Sequence, residues 1–243
     1  MQHITLSIDG RPATVPPGTT IREAALTLGI HTPALCHATT LAGPSPLHCG
    51  SNCRVCTVEL EGSRVLVPSC SRPVAEGMQV RTDTERVRRT RRMLFDLLLS
   101  EVDVSAAPEL LAYAAYYGAT PDRFPAPDAP SHRAKDRTTI IDNPFFVRDY
   151  ARCIACQRCV SACGEDIQHN FAIAMVGRGH DISVGAGDGH NDLTGSPCVF
   201  CGNCVGACPT GALLPLPEYE LREAGLLPAH RLTWTPERGL AEA

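Results

Sequence analysis

Eight of the thirteen cysteines in this 243-residue chain fall into two runs with the same spacing. In each run three cysteines recur at every third position, a fourth follows four positions later, and a glycine or proline comes next. The runs are Cys153, Cys156, Cys159 and Cys163 before Gly164, and Cys198, Cys201, Cys204 and Cys208 before Pro209. This spacing is typical of chains that bind two [4Fe–4S] clusters. In such chains, the fourth cysteine of each run binds the cluster of the other run. The predicted ligand sets are therefore Cys153, Cys156, Cys159 and Cys208 for the first cluster, and Cys198, Cys201, Cys204 and Cys163 for the second.

Structural zinc is the main alternative, because thiolates at short spacings also form tetrahedral zinc sites. Zinc sites commonly use isolated pairs of cysteines, so two matched runs of four favour iron–sulfur clusters. Disulfides are disfavoured because the chain does not open with the charged and apolar regions of a secretory signal. The sequence therefore predicts a reducing, cytoplasmic compartment.

Composition excludes two further classes of partner. The formal charge of −4 gives no general attraction toward nucleic acid, and the basic stretch 86–92 is expected to be a solvated helix face. No apolar run approaches the length that crosses a bilayer. We therefore expect no nucleic-acid partner and no membrane span.

The first eighty residues have the pattern of a small mixed domain. Residues 3–15 alternate apolar and polar side chains around a tight-turn dipeptide, which predicts a β-hairpin. Thr19 or Thr20 can cap the helix that follows, which runs to about Leu28. Three more short strands are predicted over 55–60, 65–67 and 78–80. This order predicts a β-grasp domain over residues 1–82.

The remaining five cysteines lie in this first domain: Cys36, Cys49, Cys53, Cys56 and Cys70. Residues 52–59 and 69–78 resemble the [2Fe–2S] domain of the complex I large iron–sulfur subunit, iron-only hydrogenases and cytosolic NAD-linked formate dehydrogenases. The resemblance implies a [2Fe–2S] cluster on Cys36, Cys53, Cys56 and Cys70. Cys49, in a stretch longer than the family usually has, is then spare or an alternate ligand.

Residues 83–118 predict a bridge of two helices. In the first, an inner face is expected to contain Val87, Leu94, Leu97 and Leu98, while Pro108 and Gly118 bracket the second. The relatives just named often bind a further [4Fe–4S] cluster here through one histidine and three cysteines. No cysteine lies between Cys70 and Cys153, so we expect three clusters and a bridge that lacks this His/Cys3 site.

Composition and the same resemblance divide the rest of the chain into three segments. The resemblance here rests on residues 143–150 and 196–204. A proline-rich linker is predicted over 119–144, a bacterial-type two-[4Fe–4S] ferredoxin domain over 145–215, and a tail over 216–243 that either docks on a partner or packs on its own chain. His169, His180 and His190 are interpreted as surface or packing residues, because the thiols suffice for every site.

An iron–sulfur cluster carries one electron at a time and cannot alone perform hydride chemistry. The sequence has neither a nucleophile paired with a base nor a dinucleotide fingerprint, so we predict no catalytic residue here. The resemblance implies an α+β electron-transfer subunit of a soluble multi-subunit oxidoreductase. Because the chain ends soon after the ferredoxin part, we expect the catalytic domain to be on a separate subunit. The expected partners of this chain are a flavin subunit that binds NAD and a molybdopterin or hydrogenase catalytic subunit. A molybdenum or tungsten formate dehydrogenase is favoured. An NAD-linked hydrogenase and a free carrier or redox sensor are the alternatives.

Overall fold

The computed structural model describes residues 3–38, 47–48, 50–124, 139–179, 182–186, 192–227 and 231–243. Its order is a mixed β domain, a pair of helices and a second small domain with short helices and strands. This is the α+β architecture that the sequence predicts. Within the described ranges, none of the helices is both long enough and apolar enough to cross a membrane.

The N-terminal domain is a five-stranded sheet with the strand order β2-β1-β7-β5-β6. Its elements are β1 (Ile4–Ile8), β2 (Arg11–Val15), α1 (Ile21–Thr27), β3 (His37–Ala38), β4 (Leu47–His48), β5 (Thr57–Leu60), β6 (Val67–Pro68) and β7 (Gln79–Arg81). The predicted hairpin is β1 paired antiparallel with β2, whereas β1 pairs with β7 in parallel. Thr20 caps α1 as predicted and shares a capping box with Glu23. Ile8, Ile21 and Val58 are fully buried between α1 and the sheet.

Two helices, α2 (Glu85–Glu101) and α3 (Pro108–Tyr117), form the predicted bridge. The inner face of α2 differs from the predicted one, because Leu97 is 39% exposed while Arg91 is buried. Arg91 donates to the Tyr117 hydroxyl at 2.7 Å and to the Thr57 carbonyl at 2.8 Å. These two hydrogen bonds hold the guanidinium in a core position between the bridge and the sheet, and its buried Nε has no hydrogen-bond partner among the described residues.

The second domain is built from three small sheets and short helices. Its elements are β8 (Thr139–Ile140), β9 (Phe146–Asp149), α4 (Arg158–Cys163), β10 (Ile173–Val176), β11 (Ser183–Ala186), α5 (Asn203–Ala207), β12 (Leu213–Pro215), α6 (Leu216–Glu223), β13 (Leu232–Thr235) and β14 (Gly239–Glu242). The strand order is β12-β9-β8 in one sheet, and β10 pairs with β11 in another. Most of the predicted linker, residues 125–138, lies outside the described residues.

The C-terminal hairpin of β13 and β14 packs on its own chain, one of the two outcomes expected for the tail. Trp234 is 4% exposed and makes edge contacts with Tyr113 and Tyr116 of α3. The backbone amide of His31, just after α1, donates to the Pro236 carbonyl at 2.7 Å. The hairpin therefore joins the helical bridge to the N-terminal domain.

Replacing Trp234 with alanine is expected to lower the free energy of unfolding by about 3–5 kcal/mol, because it leaves a cavity among the bridge aromatics. For a chain of this length, that corresponds to a drop of about 10 °C in the thermal midpoint. Leu240→Ala is the matched control, because Leu240 faces Trp234 across the hairpin but is 37% exposed. Equal shifts in the two variants, measured by thermal unfolding of the cluster-loaded protein, would contradict the packing role of Trp234.

Candidate iron–sulfur centres

Four cysteines of the N-terminal domain converge from three separate segments. Cys36 ends the segment after α1, Cys53 and Cys56 lie in the turn before β5, and Cys70 follows β6. Their sulfur atoms hydrogen-bond to one another, with Cys36 contacting Cys53 and Cys70, and Cys56 contacting Cys70. These contacts lower the pKa of Cys36 and of Cys56 and raise the pKa of Cys53 and of Cys70, because each pair shares one proton between two sulfur atoms. The structure thus brings together the four thiols that the family resemblance implies, and their role as ligands stays a prediction.

The thiols of the two long runs surround two cavities. The first cavity is lined by Cys153, Cys156, Cys159 and Cys208, and the second by Cys163, Cys198, Cys201 and Cys204. Each cavity therefore receives three thiols from one run and the fourth from the other run. Helix α4 carries Cys159 in its first turn and Cys163 at its end, so this one helix contributes to both cavities.

The two runs have the same local backbone conformation. Ala155 and Gln157 in the first run, and Phe200 and Gly202 in the second, all adopt left-handed φ values between 52° and 79°. The turns aim an amide at the leading sulfur of each run: Ala155 N–H to Cys153 and Phe200 N–H to Cys198, both at 3.4 Å. Left-handed backbone costs a non-glycine residue roughly 1–2 kcal/mol, and such strain concentrates at functional sites. Amides directed at sulfur suit thiolate ligands of a cluster.

The electrostatics of the cavities also fit an iron–sulfur core. Burial raises the pKa of Cys156 and Cys159, and it raises the pKa of Cys204 to about 12. Neighbouring thiols add to these increases, because several sulfur anions in one buried cavity repel each other. A cationic metal core supplies the positive charge that allows such thiols to bind as thiolates. The two sets of four thiols therefore line separate cavities, and their role as iron ligands stays a prediction.

The N-terminal thiols lie beside the first cavity. Cys36 and Cys156 belong to one buried apolar cluster that also contains Ala162 and Ala207. The side-chain amide of Asn52, next to Cys53, lies 3.5 Å from the Cys156 carbonyl. With α4 and α5 joining the two cavities of the second domain, the three candidate sites form one continuous series.

The other sequence predictions have mixed outcomes. Cys49, His180 and His190 lie outside the described residues, whereas His169 is described and is exposed, as predicted. Asp103, about where the relatives' histidine ligand would come, instead accepts a hydrogen bond from Arg152 Nε at 3.0 Å. Sequence reasoning missed Arg158, a buried charge inside the first cysteine run. Its position directly before Cys159 was the sequence feature that could have indicated a charge close to the cluster site.

Two family models match the chain. The model of a 2Fe-2S iron-sulfur cluster binding domain covers residues 1–85. The model of the ferredoxin-like domain of NADH-quinone oxidoreductase subunit 3 covers residues 143–214. These matches confirm the order of the two cluster-binding domains that the sequence predicts.

Curated relatives are similar over most of this chain. The NADP-reducing hydrogenase subunit HndD of Solidesulfovibrio fructosivorans is 37% identical over 221 residues, which is 88% of this chain and 36% of the relative. A subunit of the NADH-quinone oxidoreductase of Rhizobium meliloti is 36% identical over 227 residues, 90% of this chain and 25% of the relative. The alpha subunit of the NADPH-Fe(3+) oxidoreductase of Geobacter sulfurreducens is 36% identical over 228 residues, 88% of this chain and 24% of the relative. The chain thus spans only about a quarter to a third of these relatives.

A solved structure is similar over nearly its whole length. A chain of the NAD+-reducing [NiFe]-hydrogenase, crystallised in the H2-reduced state, superposes with a TM-score of 0.73 and 28% sequence identity. The match covers 88% of this chain and 87% of that chain. Together with the curated relatives, it confirms the predicted resemblance to the complex I and hydrogenase group.

Proposed function

Because the chain carries the iron–sulfur module shared by subunits of NADH-quinone oxidoreductases and NAD(P)-linked hydrogenases, we propose that it is an electron-transfer subunit of a multi-subunit NAD(P)-linked oxidoreductase. The observation that carries this proposal is the continuous series of three four-cysteine sites. We assign a [2Fe–2S] cluster to the N-terminal site and a [4Fe–4S] cluster to each of the other two. When bound, these clusters accept and donate single electrons.

The residues of this chain would hold and insulate the clusters. Cys36, Cys56 and Cys70 are at most 8% exposed, and apolar side chains pack around the first cavity. Burial and amide contacts to sulfur set the potential of a cluster, so these features belong to the electron-transfer role. The cytoplasmic location is kept as a proposal, because a reducing compartment keeps thiols available as cluster ligands.

Cys201, which lines the second cavity, brings this site to the protein surface, where an electron could pass to a partner. Cys201 is exposed, and so are Val199, which also lines the cavity, and Phe145 and Phe171, each of which is next in sequence to a lining residue; each of the three is 57% exposed. We call these three side chains the apolar edge. Exposed apolar side chains next to a redox site suit contact with a subunit that contains the next redox centre.

The proposed partners are a flavin subunit that binds NAD(P) and a catalytic subunit. The names of the relatives support the NAD(P) link, and the similarity to nearly a whole chain of a hydrogenase supports a separate subunit. For the catalytic partner, a hydrogenase is favoured by HndD and by the solved structure. The formate dehydrogenase predicted from sequence is kept as the second candidate, because the resemblance extends to that group.

Affinity purification from the native source, under anaerobic conditions, tests the proposal. We expect a flavin subunit and a catalytic subunit to copurify, and about ten irons per copy of this chain, from one two-iron and two four-iron clusters. NAD(P)H should reduce these clusters in the complex, as followed by paramagnetic resonance, and should leave the isolated chain oxidised. A chain that is monomeric in the native extract, or that contains zinc and no iron, would refute the proposal.

The two candidate catalytic partners are distinguished by the substrate, other than NAD(P)H, that reduces the clusters. Cluster reduction in the purified complex by H2 identifies the hydrogenase, and reduction by formate identifies the formate dehydrogenase. The matched control is the same complex incubated without either donor. Reduction by neither donor would exclude both partners.

A further inference from the structure

Arg158 is a buried charge that touches the ligand loops of two proposed clusters. It lies between Cys156 and Cys159 in the first run, and only 4% of its surface is exposed. Its Nη1 atom donates to the Leu35 carbonyl at 3.4 Å, and Leu35 directly precedes Cys36. The backbone amide of Arg158 also hydrogen-bonds the Cys156 sulfur. One residue thus links the N-terminal site to the first [4Fe–4S] site.

The positive charge of Arg158 is incompletely neutralised by its protein neighbours. In the described part of the chain, Arg158 has an ion-pair contact with Glu109 on α3, 3.5 Å from Nη1, which is a long distance for an ion pair. Arg22 also acts on Glu109, so two cations share one carboxylate. In the described part of the chain, the buried Nε atom of Arg158 has no hydrogen-bond partner. A buried, under-paired guanidinium needs a compensating negative charge nearby.

A cluster with four thiolate ligands supplies such negative charge. Reduction adds one more electron to the cluster, so a nearby buried cation stabilises the reduced form more than the oxidised form. We infer that Arg158 raises the reduction potential of both the [2Fe–2S] centre and the first [4Fe–4S] centre. This inference rests on the proposed function, because it requires clusters at both sites.

Arg158→Gln in the cluster-loaded chain tests the inference by redox titration monitored with paramagnetic resonance. We expect the equilibrium constant for reduction to fall about tenfold at both centres, which corresponds to ~59 mV for a one-electron couple. The second [4Fe–4S] centre should change much less, because the hydrogen bonds that link Arg158 to cluster loops go to the Leu35 carbonyl and the Cys156 sulfur, which belong to the other two centres. Arg158→Lys retains the charge and should restore most of the potential.

Two further variants make the test decisive. Arg89→Gln removes the same charge from an exposed position on α2 and should shift none of the centres. Glu109→Gln removes the partly compensating carboxylate and should raise the potential of the same two centres. Iron content is measured in every variant, and loss of iron from the unsubstituted chain would count against the proposed function instead.

Unchanged potentials in a fully loaded Arg158→Gln protein would overturn the inference, as would an equal shift at all three centres. If Arg158→Gln does not assemble its clusters, Glu109→Gln decides the question. A rise confined to the [2Fe–2S] and first [4Fe–4S] centres supports the role of Arg158, and no change refutes it.

Discussion

Replacing Cys208 with alanine is expected to remove the first [4Fe–4S] cluster, although Cys208 belongs to the second cysteine run. The chain should lose about four of about ten irons. The reason is geometric, because Cys208 lines the cavity of Cys153, Cys156 and Cys159. The reciprocal variant, Cys163→Ala, should remove the second cluster, because Cys163 lines the other cavity.

Paramagnetic resonance of the reduced variants identifies which cluster is lost. Cys156→Ala and Cys201→Ala are reference variants, since each of these residues belongs to the predicted set of its own run. The spectrum of Cys208→Ala should match that of Cys156→Ala, and the spectrum of Cys163→Ala should match that of Cys201→Ala. The reverse pairing of spectra would show that each run of four binds its own cluster.

Replacing Cys53 with alanine is expected to abolish the [2Fe–2S] cluster and about two of about ten irons, with both [4Fe–4S] signals retained. Cys53 hydrogen-bonds the sulfur of Cys36 inside the four-thiol group, so its loss opens the site on one side. Without the cluster, the thiols left behind are buried and lack their metal. Iron analysis and paramagnetic resonance measure the result.

Cys49→Ala is the matched control, because the resemblance leaves this thiol without a role. The variant should retain all of the iron and the [2Fe–2S] signal. If Cys49→Ala loses the [2Fe–2S] cluster and Cys36→Ala keeps it, then Cys49 is the ligand and Cys36 is the spare thiol. The pair of variants therefore tests whether Cys49 is spare or replaces Cys36 as a ligand.

Several interactions in this chain could not be predicted from local pattern. The periodicity of α2 indicated a leucine-rich inner face, but the structure buries Arg91 and leaves Leu97 partly exposed. The deciding partners of Arg91 are Tyr117 and Thr57, which belong to other elements. Hydrophobic periodicity does not register a buried cation whose hydrogen bonds come from distant residues.

The sequence by itself determined the grouping of the thiols in the second domain. Short spacing limits which sulfur atoms can reach a common cavity, and the repeated run implied the exchange of the fourth cysteine. Tertiary structure alone decided the packing of Trp234 and the contact of the N-terminal site with the first cavity. That contact joins Leu35 to Arg158 across 123 positions and Asn52 to Cys156 across 104. Such contacts depend on how whole domains pack together, and a local pattern of residues does not encode that packing.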